Sequence, residues 1–285
     1  MTDRNGQAAQ LPVEKLQPFE GHPFKVIDNE GMKQLTESIQ TQGLLTPLVV
    51  RPLANGTYEV ISGHRRLYAC KKAGIEMVPA LIVEMDRDAA AIALVDSNLH
   101  REHILPSEKA FAYNLKAEAL KHQGQRTDLT SVQLAPKLAT EQIAEEANTS
   151  KDTVKRYIRL TNLIPGILEM VDEDKIALTP AVELSYLGEW EQVDLLETME
   201  SEDCTPSLSQ AMLLKATSQA GQLTMDKIFT IMTQPKPNQQ EKISFKVSEI
   251  RDYFPRGYTA SQMTRDILKG LELLRQQRQR NRDAR

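Results

Sequence analysis

The chain has 285 residues, of which 40% are hydrophobic and 26% are charged, and its formal net charge is −4. This length predicts two or three domains, and the acidic balance means that any contact with DNA must come from a local basic patch. The only cysteines, Cys70 and Cys204, are too few for a disulfide framework and suit a reducing cytoplasm. We expect neither a signal peptide nor a membrane span, because no window approaches about 18 apolar residues.

Residues 1–10 form a polar tail that we predict to be disordered. Strand and helix patterns then alternate, which predicts a small α/β domain at 11–104. Gly43 and Gly74 stand where the first two predicted helices should end. The predicted strands are 11–16, 47–52, 57–61 and 78–83, and the predicted helices are 29–42, 63–73 and 87–99.

An almost wholly helical pattern follows and predicts a second domain at 105–204. Its first helix starts at Pro106, which fits the first helical position, and runs to about residue 122 before a predicted loop at 123–139. Two short helices at 141–147 and 151–160 come next. Asn148 suits a left-handed turn between them, and Ser150 suits the N-cap of the second. This pattern predicts a helix-turn-helix.

The second of these short helices carries a basic outer face. A helix of this kind binds double-stranded DNA by lying in the major groove. The alternative is an amphipathic helix whose charged face is merely solvated, but the turn and the cap favour the DNA-binding interpretation. The predicted DNA-binding residues are Ser150, Lys151, Thr153, Lys155, Arg156 and Arg159.

The last part of the chain gives weaker signals. Residues 205–242 predict a polar helix followed by a linker rich in proline and glutamine. Residues 243–285 predict a small C-terminal segment with a helix from about residue 261. The fold class is therefore predicted as α+β, with a small α/β domain, an all-helical domain and a C-terminal helical segment.

A candidate anion site lies at 61–66, which read ISGHRR after a strand-like run. Backbone N–H groups at a glycine turn and helix start bind phosphate, and the guanidinium groups of Arg65 and Arg66 neutralise it. Asn98 and Arg101 supply an amide and a third guanidinium further along the chain. By itself this pattern is weak, since many solvated helices also begin with glycine and arginine.

Three motifs together are far more specific. They are 44–51 (LLTPLVVR), 61–66 (ISGHRR) and 98–110 (NLHREHILPSEKA). In order and spacing they resemble the three boxes of the ParB partition-protein family, and the likeness extends over roughly residues 11–200, with the helix-turn-helix in the expected place. The chain most resembles the ParB-like proteins of plasmids and integrative mobile elements.

The resemblance implies an N-terminal domain that binds CTP with Mg²⁺ and acts as a clamp switch on DNA. It also implies a cytoplasmic, nucleoid-associated homodimer with a ParA-type ATPase as partner. Carried over by motif position, Asn98 would face the metal as well as the triphosphate. The residues that the resemblance assigns to the nucleotide are Thr46, Arg51, Gly63, His64, Arg65, Arg66, Asn98 and Arg101.

Two positions depart from the family pattern. His64 stands where the second box usually has glutamate, and Ser97 stands where the third box usually has glutamate. Serine is a poor substitute for a carboxylate near a hard cation. Asp96 is adjacent, but one step along a helix turns it about 100° away. We therefore predict nucleotide binding with at most weak CTP hydrolysis, and leave the catalytic residues unassigned.

Two other classes of function stay open at this point. The chain could be a helix-turn-helix transcriptional regulator or adaptor with a vestigial nucleotide pocket. It could also be an enzyme built on the same N-terminal fold, such as a sulfiredoxin-like phosphotransferase or a nuclease. The first enzyme needs a cysteine beside the phosphate loop, whereas Cys70 lies two helical turns further on. The second needs clustered carboxylates that this domain does not show.

Overall fold

Five short strands with alternating apolar residues form one mixed sheet. A computed structural model describes residues 6–99, 101, 103–127, 135–234, 250–255 and 257–283. The spatial order is β1-β5-β3-β4-β2, with β1/β5 and β3/β4 antiparallel and β3/β5 and β2/β4 parallel. The strands are β1 (Gln7–Pro12), β2 (Leu16–Pro18), β3 (Leu48–Pro52), β4 (Tyr58–Ser62) and β5 (Met77–Ile82).

Helices cover both faces of the sheet because successive strand residues point to opposite sides. One core contains Leu48, Val50 and Val60 together with residues of α1 (Glu30–Gln42) and α2 (His64–Lys72). The other contains Ile61, residues of α3 (Arg87–Asp96) and the first long helix of the next region. The predicted small α/β domain is confirmed.

The N-terminal predictions need correction. Residues 7–10, assigned to a disordered tail, form most of β1 because they pair with β5. The predicted strand at 11–16 is interrupted by a 3₁₀-helix at Val13–Lys15. The helix predicted at 87–99 ends at Asp96, three residues early. Asn29 caps α1 by accepting a hydrogen bond from the N–H of Met32 at 3.1 Å.

The helices that follow pack into two apolar clusters. The larger one runs from Ala110 of the first helix to Met232 of the last, and a smaller one holds Tyr113, Ile143, Ala144 and Val154. Part of the loop predicted at 123–139 is helical, since α4 continues to Thr127 and α5 begins at Ala135. The last two helices of this region, predicted as a helix and linker, belong to the larger cluster. The helices are α4 (Pro106–Thr127), α5 (Ala135–Glu146), α6 (Lys151–Arg159), α7 (Pro165–Asp172), α8 (Leu178–Leu184), α9 (Glu189–Ser201), α10 (Leu208–Gln219) and α11 (Met225–Met232).

The chain divides into two compact units, Met1–Gln234 and Pro235–Arg285. In the second unit, a 3₁₀-helix at Arg251–Tyr253 precedes α12 (Ala260–Asp283), which confirms the predicted C-terminal helix. The predicted linker at 235–242 lies outside the described residues. Among the helices that the structure describes, none is long and apolar enough to cross a membrane.

Candidate anion-binding cleft and helix-turn-helix face

The turn between β4 and α2 requires glycine. Gly63 has a φ of +106°, in the left-handed region that other residues rarely adopt. A Cβ atom at this position would lie 2.6 Å from Cδ2 of Leu48, whose side chain is fully buried. The turn thus exposes the N-terminus of α2, where unpaired N–H groups favour an anion.

A cleft of about 370 Å³ opens at this turn and brings together six of the eight residues predicted to bind nucleotide. Its lining residues are Gly31, Leu35, Ser62, Gly63, His64, Arg65, Arg66, Ser97, Asn98 and Arg101. A second cleft of about 1030 Å³ shares Arg65 and Arg101 with it and adds Lys25 and Lys109. Neither lysine is predicted for the site from the sequence, because only the fold brings it there.

Arg65 and Arg101 are both exposed and face the same cleft. Within the described residues, neither guanidinium has an ion pair or a hydrogen bond to a carboxylate. Partial burial lowers the pKa of Arg101, nearby Glu108 raises it, and the positive charge of Arg65 lowers it again. Two mutually repelling cations beside a helix N-terminus favour a bound anion.

Arg66 has a different role from Arg65. Its Nη1 donates hydrogen bonds to the carbonyl oxygens of Thr46 at 2.7 Å and Pro47 at 3.1 Å. Burial lowers its pKa. Arg66 therefore connects the first motif, 44–51, to the turn at Gly63. Thr46 approaches the site through its backbone, and its side chain does not line the cleft.

The expectation that Arg51 lines the pocket is wrong. Its Nε donates to Oε2 of Glu59 at 2.6 Å, and both side chains are almost completely buried. The other carboxylate oxygen of Glu59 accepts a hydrogen bond from the N–H of Glu20 at 3.1 Å. A buried ion pair of this kind uses the guanidinium within the fold, so Arg51 braces the sheet.

His64 lies at the back of the cleft with only 8% of its surface exposed. Its Nε2 accepts a hydrogen bond from the N–H of Phe19 at 3.3 Å, and its ring lies 3.7 Å from that of His22. Burial, then His22 and Arg101, lower the pKa of His64 to about 3. Burial is also the main reason that the pKa of His22 is lowered to about 4. Both rings are neutral near pH 7.

The third motif presents an amide but no carboxylate to the cleft. Asn98 is buried, and its Nδ2 donates to the carbonyl of Leu94 at 2.7 Å and to Oγ of Ser97 at 3.1 Å. Asp96 instead accepts a hydrogen bond from Lys116, outside the residues that line the cleft. Throughout the described residues, no group of three or more histidine, cysteine or acidic side chains could hold a metal. The residues of this cleft do not fit a protein-held Mg²⁺ site.

The helix-turn-helix has the predicted local geometry. Asn148 adopts a left-handed φ of 49°, and Oγ of Ser150 accepts a hydrogen bond from the N–H of Thr153 at 3.1 Å. Val154 of α6 and Ile143 of α5 are fully buried in one cluster with residues of α4. This packing holds α6 firmly, with its opposite side toward solvent.

The predicted basic face of α6 divides into two parts. Lys151 and Lys155 are exposed, as expected. Arg156 instead donates to Oγ1 of Thr179 at 2.5 Å. The outward placement of Arg159 is wrong, because its guanidinium donates to Ser185 at 3.0 and 3.2 Å and stacks on the Tyr186 ring. The sequence carries no local signal for these contacts with α8 and the residues that follow it.

Comparison with known proteins agrees with this organisation. Residues 1–99 match the model of a family described as the ParB N-terminal domain. The probable chromosome-partitioning protein ParB of Vibrio cholerae serotype O1 is 30% identical over 270 residues, which cover 94% of this chain and 86% of that protein. The chromosome-partitioning protein Spo0J of Thermus thermophilus is 35% identical over 168 residues, 59% of this chain and 55% of that protein.

Solved structures include the C-terminally truncated ParB of Caulobacter crescentus complexed to the centromeric parS site. The sequence identity is 22%, the match covers 73% of this chain and 99% of that chain, and the TM-score is 0.41.

The Vibrio and Thermus relatives are chromosome-partitioning proteins, and the plasmid or mobile-element subtype of this chain stays a prediction. The identity along almost the whole chain shows that it belongs to the ParB family of partition proteins.

Proposed function

We propose that this ParB-family chain is a partition protein that binds CTP in the 370 Å³ cleft and double-stranded DNA through α6. The observation that carries the nucleotide assignment is the pair Arg65 and Arg101, which face one cleft beside the Gly63 turn. A triphosphate would lie between the two guanidinium groups and accept hydrogen bonds from the N-terminus of α2.

The nucleotide rather than the protein would supply most of the metal ligands. Mg²⁺ usually keeps several waters and binds phosphate oxygens, so it can arrive with the triphosphate. Asn98 is the residue of the cleft that can add an amide oxygen. Because Ser97 occupies the position of the family carboxylate and Asp96 is held by Lys116, we propose slow CTP turnover.

DNA binding would use the exposed part of α6. Lys151 and Lys155 would contact phosphates or base edges, and Arg156 would lie at the edge of this DNA-binding face. We assign Ser150 and Thr153 to the cap that fixes the helix start, and Arg159 to packing against Tyr186. Replacing Lys155 by alanine should weaken DNA binding. If Lys155 contacts a phosphate, the slope of the logarithm of the binding constant against the logarithm of the salt concentration should also become shallower by about one.

A homodimer fits this function, because helix-turn-helix proteins commonly bind paired half-sites. In the second unit, α12 exposes Leu268, Leu271 and Leu274 at spacings of three residues. Such a stripe is the kind of surface by which two helices pair. We further propose a cytoplasmic, nucleoid-associated protein with a ParA-type ATPase as partner.

The alternative of a sulfiredoxin-like enzyme finds no support at Cys70. This side chain is completely buried, and burial raises the pKa of its thiol. A nucleophilic cysteine needs the opposite environment, with access to solvent and a lowered pKa. The alternative of a regulator with a vestigial pocket makes a different prediction, which is the absence of CTP binding.

Calorimetric titration tests the proposal. The wild-type chain should bind CTP in Mg²⁺ more tightly than ATP or GTP, and Arg65→Ala should lose at least about tenfold in affinity. Lys71→Ala is the matched control, since Lys71 is exposed at the opposite end of the same helix. If the wild type binds no nucleotide, with or without DNA, the regulator with a vestigial pocket takes the place of this proposal.

A further inference from the structure

The loop at 19–25 lies against His64 at the back of the anion-binding cleft and is fixed at three backbone positions. The N–H of Phe19 donates to His64, and the N–H of Glu20 donates to Glu59. The N–H of Lys25 donates to Oε1 of Glu108 at 2.7 Å. All three acceptor residues are at most 8% exposed. Buried acceptors of this kind hold a loop more firmly than exposed ones, because breaking such a bond leaves a polar atom without water.

An aromatic stack stands on this loop. The ring of His22 lies against that of His64, with centroids 3.7 Å apart. The same His22 ring also meets Phe24 edge-on, with centroids 5.7 Å apart. Phe24 is 2% exposed, and the guanidinium carbon of Arg101 lies 5.4 Å from the centre of its ring. The stack therefore ends at one of the two exposed arginines that face the cleft.

We propose that Phe24 is a positioning residue that holds Arg101 toward the phosphates of the bound nucleotide, with the 19–25 loop as its rigid base. This inference rests on the proposed nucleotide binding. A ring orients a cation through its face without neutralising it, whereas a carboxylate would pair with the guanidinium and compete with the ligand. Neutral histidines suit the same purpose, because they add no charge beside Arg101.

The same arrangement accommodates the histidine at position 64. A glutamate at this position would place a negative charge in a stack that ends at Arg101. The neutral imidazole keeps the hydrogen bond to Phe19 and leaves the positive charge of the cleft intact. His64 thus contacts the loop through Phe19 and His22, and it also lines the cleft.

The test compares two buried phenylalanines of the same loop. Phe24→Leu removes the ring beneath Arg101, whereas Phe19→Leu removes an equally buried ring from the same core. Both variants should lose similar thermal stability. Phe24→Leu should weaken binding of CTP and of inorganic tripolyphosphate about fivefold to twentyfold, and Phe19→Leu should change it less than about twofold.

A double-mutant cycle shows whether Phe24 acts through Arg101. In an Arg101→Ala background, Phe24→Leu should have almost no further effect on affinity. Equal losses in both phenylalanine variants, or additive losses in the cycle, would overturn the proposal by reducing Phe24 to a structural residue.

A measurement without ligand separates this inference from the proposed function. In the free protein, the ring current of Phe24 should shift the NMR signals of the Arg101 side chain upfield, and the shift should vanish in Phe24→Leu but persist in Phe19→Leu. The absence of that shift in the wild type would overturn the positioning role. Absence of CTP binding with the shift intact would count against the proposed function alone.

Discussion

Lys116 of α4 donates a hydrogen bond to Asp96 at the end of α3, and the lysine side chain is completely buried. The same ammonium also donates to Glu146, the last residue of α5. Burial by itself would raise the pKa of Glu146, but hydrogen bonds from Lys116 and Gln142 outweigh it and the pKa is lowered. This bridge joins the helix before the third motif to the first helix of the helix-turn-helix.

Removing the two carboxylates of the bridge should destabilise the fold more than removing the lysine. Replacing Asp96 and Glu146 together by alanine leaves a buried ammonium without partners and should cost about 3–5 kcal/mol of unfolding free energy. Lys116→Met fills the same space, and the two carboxylates left behind are 46% and 40% exposed. It should therefore cost less than about 2 kcal/mol. Urea unfolding measures both losses of unfolding free energy. Equal losses in the double alanine variant and in Lys116→Met would argue against a buried charge at Lys116.

Gly63→Ala should be more damaging than its backbone angle alone explains. Gly74 also has a positive φ, 71°, but a Cβ atom there would meet nothing within 4 Å. Gly74→Ala should cost about 1–2 kcal/mol for the left-handed conformation. Gly63→Ala should cost about 1–3 kcal/mol more, because of the contact with Leu48, and should also weaken CTP binding. Thermal unfolding and calorimetry measure both, and equal stabilities would show that steric crowding contributes nothing at Gly63.

Stability should fall in mild acid because two histidines are buried in neutral form. The folded pKa values, about 4 for His22 and about 3 for His64, lie below the ordinary value of 6.5. The stabilisation is complete above about pH 6.5 and is lost as the pH falls toward 4, by up to about 1.4 kcal/mol per pH unit for each histidine.

Urea unfolding between about pH 5 and 6.5 checks the sign of this dependence. His22→Phe removes one titrating ring and should reduce the slope. A wild-type stability that stays constant over this range would mean that the histidines are solvated.

Turnover of CTP should depend on position 97. Ser97 is exposed in the cleft beside Asn98, so Ser97→Glu would place a carboxylate where the family has one. This variant should raise phosphate release with little change in CTP affinity. His64→Glu is the contrasting variant, since it charges the buried stack and should weaken binding first. Brisk hydrolysis by the wild type would show that another carboxylate takes this role.

Local signals predicted much of this fold and part of the site. Gly43, Asn148 and Ser150 act at helix ends, where their side chains or backbone freedom matter, and all three occupy the expected positions. The glycine and the two arginines of 61–66 could also be identified from the sequence, because they follow one another in a single short segment. The cleft unites them with Asn98 and Arg101 as expected.

The errors come from partners that lie on other elements of the fold, whether close in sequence, as Glu59 is to Arg51, or distant. Arg51 resembles a free cation until the fold brings Glu59 to it, and Arg159 resembles an outer residue until Tyr186 packs against it. Residues 7–10 look disordered because their hydrogen bonds to β5 come from about 70 residues away. The same reason hides Phe24 and Lys116, whose roles depend on pairing between elements.

Genome-wide crosslinking of the protein to DNA in cells distinguishes a nucleotide-gated clamp from a static regulator, because a clamp spreads along DNA and a static regulator does not. The wild type should give a broad signal around each binding site. Arg65→Ala, which loses an arginine of the cleft but retains α6, should give a sharp peak at the same sites. Sharp peaks of equal width in both proteins would contradict a nucleotide-gated clamp.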